Sequence, residues 1–361
     1  SSVQSFIATA QISQNNFLGR GQTLSLSAHL SFGDFARQYA TFYFIEPYLF
    51  DSMWYFSFNA YLQYQRYATS SFMKYSKGLS PTIGYPITKK LRINLGYTFE
   101  KIEISTDLSP SDAGPAYYNL ENQGFNSALN LSLNYDTRNN RLFPSAGMYH
   151  MVSGEFSDKL IGSDENMAFR RFKLLSRFYY SLPWSFVLKF NASFGYIFAP
   201  GGREVPPSER FFPGGIYSVR GYEPMGLGTS INVAHQGNPM SPTFPFILGG
   251  NKEIVLNLEL EFPILKAAQI KGVLFADAGN AYDERQNFFY IDTPDYLKGN
   301  AYTLGSGRRI HPPLGLFYSL GFGVRWLSPV GPLRFEWGIP LVKRYRSDPS
   351  ILFEFTIGNF F

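Results

Sequence analysis

Cysteine is absent from this 361-residue sequence. Neither a disulfide scaffold nor a thiolate metal site is available, and the absence suits an oxidising compartment, where a stray thiol is a liability. Charge is sparse too, at 16% of residues, against the roughly 25% usual in soluble domains. No stretch approaches the ~18 consecutive apolar residues of a membrane-crossing helix. The net charge of +5 comes from basic residues spread along the chain. No dense Lys/Arg run is interleaved with aromatics, which argues against a nucleic-acid partner. The histidines, His29, His150, His235 and His311, are scattered. The first two read as ordinary strand residues and the last two as loop residues. None joins a Ser/His/acid arrangement or a metal-spaced cluster, so no catalytic residue, cofactor or metal ligand is expected. The opening Ser-Ser-Val-Gln-Ser-Phe has neither the basic nor the apolar region of a signal peptide, so the sequence reads as a mature form or a fragment.

What the sequence has in excess is aromatic: 18% of residues, with 36 Phe and 25 Tyr. Mean hydropathy is nevertheless slightly negative, at −0.14. These facts conflict for a helical membrane protein and agree for a barrel, whose strands are apolar on one face only. Strict alternation recurs throughout. Leu91, Ile93, Leu95, Tyr97 and Phe99 interleave with Arg92, Asn94, Gly96 and Thr98. Leu129, Leu131 and Leu133 alternate with Asn130, Ser132 and Asn134. Tyr318, Leu320, Phe322, Val324 and Trp326 alternate with Ser319, Gly321, Gly323 and Arg325. Successive strand side chains point to opposite faces. A large soluble all-β protein would alternate too. Here the apolar faces are dominated by large aromatics, the segments approach the ~9–11 residues that cross a bilayer at a tilt, and the polar faces could line a wet lumen. The expected fold class is an all-β, transmembrane antiparallel β-barrel in an outer membrane.

About fifteen segments can be drawn, near 4–14, 23–33, 37–46, 54–66, 73–86, 90–104, 124–136, 147–157, 167–181, 184–198, 251–263, 271–282, 317–328, 332–341 and 350–361. Connections after odd-numbered segments are mostly compact; those after even-numbered ones include the long runs 105–123, 199–250 and 283–316. Outer-membrane barrels keep periplasmic turns short, so the compact side is predicted to be periplasmic. Bacterial single-chain barrels have an even number of strands. Either a first strand precedes Ser1, giving sixteen when intact, or one segment is miscounted.

Several stretches exceed simple periodicity. They are Phe212-Pro213-Gly214-Gly215-Ile216-Tyr217-Ser218-Val219-Arg220-Gly221-Tyr222, Asp136-Thr137-Arg138-Asn139-Asn140-Arg141-Leu142-Phe143-Pro144, Gly249-Gly250-Asn251 before Leu258-Glu259-Leu260-Glu261, Phe275-Ala276-Asp277-Ala278-Gly279-Asn280, Leu327-Ser328-Pro329-Val330-Gly331-Pro332-Leu333-Arg334, and the terminal Phe353–Phe361. In this order and spacing they resemble the C-terminal barrel of the BamA/TamA-type superfamily, most nearly its BamA members, the outer-membrane protein assembly factors. The likeness covers nearly the whole chain. Paralogues that translocate polypeptide, including two-partner secretion transporters, share the Val-Arg-Gly-Tyr stretch.

The resemblance implies a single barrel domain over residues 1–361, with periplasmic POTRA domains not in this chain. It implies that loop 199–250 folds into the lumen. There Val219, Arg220, Gly221 and Tyr222 form a lock, with Arg220 meeting Glu259 and Asp277 on the inner wall. Without it, a loop arginine would be read as solvated or held by lipopolysaccharide phosphate. Alternation independently turns Glu259 inward, with Asn257 and Glu261; Asp277 shares its face with Val273 and Phe275 and is less clear, but the cost of a carboxylate facing lipid favours inward for it too. The implied function is insertion of β-barrel proteins through a seam beside the last strand. That strand carries Ile351, Phe353, Phe355 and Ile357 outward, Gly358 near its end, either as a kink point or a plain packing residue, and Phe361 at the terminus. Implied partners are client β-barrel proteins, accessory lipoproteins reached through the POTRA domains, and outer-membrane lipids with lipopolysaccharide.

Overall fold

Alternation of apolar and polar residues settles most of the architecture, because each such segment can bury only one face. A computed structural model describes residues 7–31, 36–67, 72–106, 124–234, 243–284, 286–289, 313–328, 331–344 and 348–357. The strands are β1 (Ile7–Phe17), β2 (Gln22–Ser31), β3 (Arg37–Glu46), β4 (Tyr55–Tyr67), β5 (Phe72–Pro86), β6 (Leu91–Thr106), β7 (Gly124–Asp136), β8 (Gly147–Ser157), β9 (Phe169–Leu182), β10 (Phe186–Phe198), β11 (Thr229–Ala234), β12 (Thr243–Gly249), β13 (Lys252–Leu265), β14 (Ile270–Tyr282), β15 (Phe317–Ser328), β16 (Gly331–Pro340) and β17 (Leu352–Ile357). Fifteen of them form one antiparallel meander, β1 through β10 and then β13 through β17, each paired with its sequence neighbour in the sheet. β1 and β17 stand at the two ends of that order.

The predicted segments coincide with these strands to within a few residues. The departure is a hairpin, β11–β12, inside the connection read as one long loop. Its strands are six and seven residues long, and Pro245 interrupts the second. Too short to cross a bilayer, they give no alternation signal distinguishable from loop. Gly358, Phe361, His235 and His311 lie outside the described residues. His29 stacks on Tyr39 with ring centroids 4.8 Å apart, and His150 Nδ1 lies 3.0 Å from Ser176 Oγ, both on strands as expected.

Burial is inverted relative to a soluble protein. Leu131 is 52% exposed and Leu320 47%, whereas Asn126, Glu259, Ser319 and Arg325 are each 1%. Large apolar side chains standing outward along every wall, with charged groups packed inside, are what a hydrocarbon solvent selects. Connections at one end of the meander are mostly compact, the longest being 137–146. Residues 18–21, 87–90, 183–185 and 266–269 close hairpins there. Leu18, Trp184 and Gln269 adopt positive φ in these turns. At the other end lie the connections that are long in sequence, from β6 to β7, from β10 to β13 and from β14 to β15. By the rule of short periplasmic turns, the second end is external.

Candidate functional site

The connection between β10 and β13 enters the interior and binds the inner wall at three places. The first is at Glu209, in the short turn Pro207–Glu209. Its carboxylate receives Lys74 Nζ from β5 and Arg171 Nη2 from β9, each at 2.6 Å. Burial alone would raise the Glu209 carboxyl, but the two cations outweigh it and hold it down at about 2. This anchor has no counterpart in the sequence expectations, since nothing in the spacing of Lys74, Arg171 and Glu209 brings them together.

A pH dependence follows. A depressed carboxyl contributes stability that is present above its unfolded value of ~4.3 and is lost as pH falls through its folded value. Thermal unfolding of Glu209→Gln should show a deficit on the order of 2–3 kcal/mol at pH 7 relative to wild type. That deficit should shrink as pH drops from 4 toward 2; one that stays constant across this window would contradict the assignment.

The second contact is the Val-Arg-Gly-Tyr stretch. Gly214 and Gly215 have φ of 116° and 89° and turn the chain back, with Ser218 Oγ accepting from Gly214 N at 2.6 Å. Val219 is then buried beside Val255 and Phe317. Arg220 is 2% exposed. Its Nε and Nη2 donate to the two oxygens of Asp277 at 2.6 Å each, and its backbone N–H donates to the same carboxylate at 3.1 Å. Nη1 reaches Glu259 and, at 3.1 Å, Glu336. Burial opposes the guanidinium charge, but Asp277, Glu259 and Glu336 hold Arg220 more firmly protonated than a free arginine. A planar fork suits this arrangement, because it can chelate one carboxylate while reaching others.

Glu259 and Asp277 therefore stand where the resemblance implied. Val273, Phe275 and Asp277 all face inward and are buried. The reason that face looked ambiguous is Phe275: its ring lies under the guanidinium, 3.6 Å from the Arg220 carbon, as a cation–π platform. Gly321 sits directly opposite Phe275 and makes room for the ring.

Sequence reasoning missed the rest of the cluster. Arg325 donates to Glu259 at 2.8 and 2.9 Å and to Glu336 at 2.8 Å. Arg334 donates to Glu336 at 2.8 Å. Arg325 and Arg334 face each other across β15 and β16, a like-charge pair that needs carboxylates nearby. That pairing was the available signal. Three guanidiniums, of Arg220, Arg325 and Arg334, thus meet three carboxylates, of Asp277, Glu259 and Glu336, in one buried network. Gly221, with φ of 84°, lies against Gly338 of β16. Tyr222 Oη lies 2.8 Å from the Tyr318 carbonyl and 2.9 Å from that of Val342, tying the loop to the external ends of β15 and β16.

The third contact is with β17. Ile216 N donates to Glu354 Oε1 at 2.8 Å, and the hydroxyls of Tyr217 and Thr356 lie 3.0 Å apart. Leu352, Glu354 and Thr356 are buried on the inner face. On the other face Phe353 and Phe355 meet the rings of Trp337 and Phe335, both at 5.0 Å, while Ile351 is exposed just before the strand. The loop tip thus touches the inner face of the last strand, a contact the sequence did not suggest.

The Omp85 superfamily domain matches residues 16–361. The outer membrane protein assembly factor BamA of Nitratidesulfovibrio vulgaris is 26% identical over 357 residues, covering 99% of this chain and 40% of that protein. BamA of Neisseria meningitidis serogroup B is 26% identical over 381 residues, covering 98% of this chain and 45% of that protein. The chain thus spans less than half the length of these curated relatives. Among solved structures, BamA from Haemophilus ducreyi lacking POTRA domains 1–3 superposes with a TM-score of 0.74 at 21% identity, over 98% of this chain and 68% of that one. CdiB from Acinetobacter baumannii superposes with a TM-score of 0.60 at 14% identity, over 97% of this chain and 56% of that one. With the inverted burial, the meander and the buried Val-Arg-Gly-Tyr network, these likenesses place the chain in the Omp85 superfamily, as a BamA-like outer-membrane β-barrel.

Proposed function

We propose that this chain is the membrane barrel of a machine that folds and inserts β-barrel proteins into the bacterial outer membrane through a lateral seam. No bond is made or broken, so no catalytic residue is required. The difficulty is an unpaired strand edge in lipid, which is very costly because nothing there satisfies its backbone groups. An edge strand of the machine can supply those hydrogen bonds by pairing with a client strand.

The contact between the loop and β17 carries this reading. β17 pairs with β16 from Leu352 to Ile357, at one end of the strand order. Ile216 and Tyr217 hold it from inside through Glu354 and Thr356. A strand braced on its inner face keeps its orientation when its outer edge changes partner. The proposed partners are client outer-membrane barrels, accessory lipoproteins bound mainly outside this chain, and the surrounding lipids with lipopolysaccharide.

A second reading is passage of polypeptide through the lumen, favoured by the likeness to CdiB. Passage would require withdrawing the loop, and with it the buried pairs of Glu209 and Arg220. That cost favours work at the edge. Reconstitution of the full-length protein in liposomes separates the two readings. The expected result is that added unfolded client barrels become protease-protected and heat-modifiable. Polypeptide translocation into the vesicle without client insertion would overturn the proposal.

A further inference from the structure

The outer wall carries a groove that the loop network does not use. Across β2 to β6 the register places Ala28, Ala40, Leu62, Lys77 and Lys101 in one row. Leu62 is 61% exposed, so this is the lipid-facing surface. Here Ala28 and Ala40 face each other across β2 and β3 and leave a depression of ≈ 370 Å³. Leu30, Leu62 and Tyr64 form its apolar walls.

Lys77 and Lys101 stand directly opposite each other at one end of the groove. Like charges in register repel, and a cation on a lipid-facing wall is costly unless it reaches headgroups. Lys101 is neutralised by Glu103 at 2.6 Å. Lys77 makes no salt bridge among the described residues, and Arg66 is exposed on the same face two residues beyond Tyr64. These residues lie toward the long-loop, external end of the strands.

We propose that this groove binds lipopolysaccharide of the external leaflet, with an acyl chain along Ala28 and Ala40 and a lipid A phosphate between Lys77 and Lys101. Charge selects the headgroup. Arg66, Lys77 and Lys101 less Glu103 leave a surplus of two positive charges. A phosphate monoester carries about −1.5 to −2 at neutral pH, whereas the phosphodiester of a phosphatidylglycerol carries a single charge.

The test is a lipid titration of the full-length protein in detergent, with bound lipid counted by native mass spectrometry. Three probes are compared: diphosphoryl lipid A, dephosphorylated lipid A and phosphatidylglycerol. Diphosphoryl lipid A should bind about tenfold more tightly than either of the others, a difference one charge-assisted contact can supply. The double variant Lys77→Ala/Lys101→Ala should lose that preference. Ala40→Trp, which fills the trough and leaves every charge in place, should weaken lipid A binding while folding normally. Lys89→Ala/Lys90→Ala, at a periplasmic turn, should bind like wild type. Equal binding of phosphatidylglycerol would overturn the choice of ligand. Unchanged lipid A binding by both groove variants, or an equal loss in the Lys89/Lys90 control, would overturn the site.

Discussion

Replacing Arg220 by alanine should destabilise the barrel by roughly 3–5 kcal/mol, the cost of leaving buried charges without their partner. Asp277 would lose two side-chain hydrogen bonds, and Glu259 and Glu336 one each. The backbone bond from Arg220 N could survive only if the loop stayed in place. Phe275 would lose the cation above its ring. Arg220→Lys should recover little, because an ammonium cannot chelate Asp277 and reach Glu259 together. The measurement is the temperature at which the folded, heat-modifiable form is lost on a gel. A double-mutant cycle with Asp277→Ala makes it specific. If the pair acts as described, Arg220→Ala in the Asp277→Ala background costs far less than in wild type. Additive effects would show that the network does not hold the loop.

Gly338→Ala should be nearly as damaging, for a reason of shape instead of charge. A Cβ built on Gly338 would lie 2.3 Å from the backbone nitrogen of Gly221 and 2.5 Å from its Cα. Backbone meets backbone there, so no rotamer relieves the clash. Gly221 cannot retreat either, since its own φ of 84° is tied to the turn that presents Arg220. The added methyl should therefore push the loop off β16 and break the Arg220 pairs indirectly, at a cost on the order of 2–4 kcal/mol. Gly154→Ala supplies the contrast: its Cβ would meet only the Phe172 ring, at 3.7 Å. That change should lie within about 0.5 kcal/mol of wild type. Equal tolerance of both alanines in the heat-modifiability assay would mean that the loop does not rest against β16.

The legibility of this molecule follows from what period-two patterning encodes. Leu129 against Asn130, or Leu320 against Ser319, tells which side faces lipid and where a strand runs, so the fifteen strands of the meander were readable from side chains alone. Glu259 was readable for the same reason. Asp277 was readable only from the cost of a carboxylate facing lipid, because Phe275 on the same face breaks the polar pattern; the guanidinium stacked on its ring explains that aromatic. Arg325 was visible on a polar face, but Arg334 and Glu336 were not picked out, and the joining of the three with Glu259 depends on the stagger between β13, β15 and β16. Local sequence does not state that stagger. Contacts from the loop to distant strands, such as Glu209 with Lys74 and Ile216 with Glu354, have no periodicity at all. They are set by how the loop fills the interior.

Crosslinking tests directly whether the edge at β17 receives the client strand. The direct measurement uses the full-length protein, whose barrel contains no cysteine to remove. A single cysteine is placed at Phe355 of β17 or, on the far wall, at Leu174 of β9. During insertion into liposomes, each is tested for disulfide formation with cysteines along a client's terminal strand. Crosslinks are expected from Phe355, at positions spaced two residues apart on the client, and none from Leu174. Insertion that proceeds with no crosslink at Phe355, or with equal crosslinking at Leu174, would contradict it.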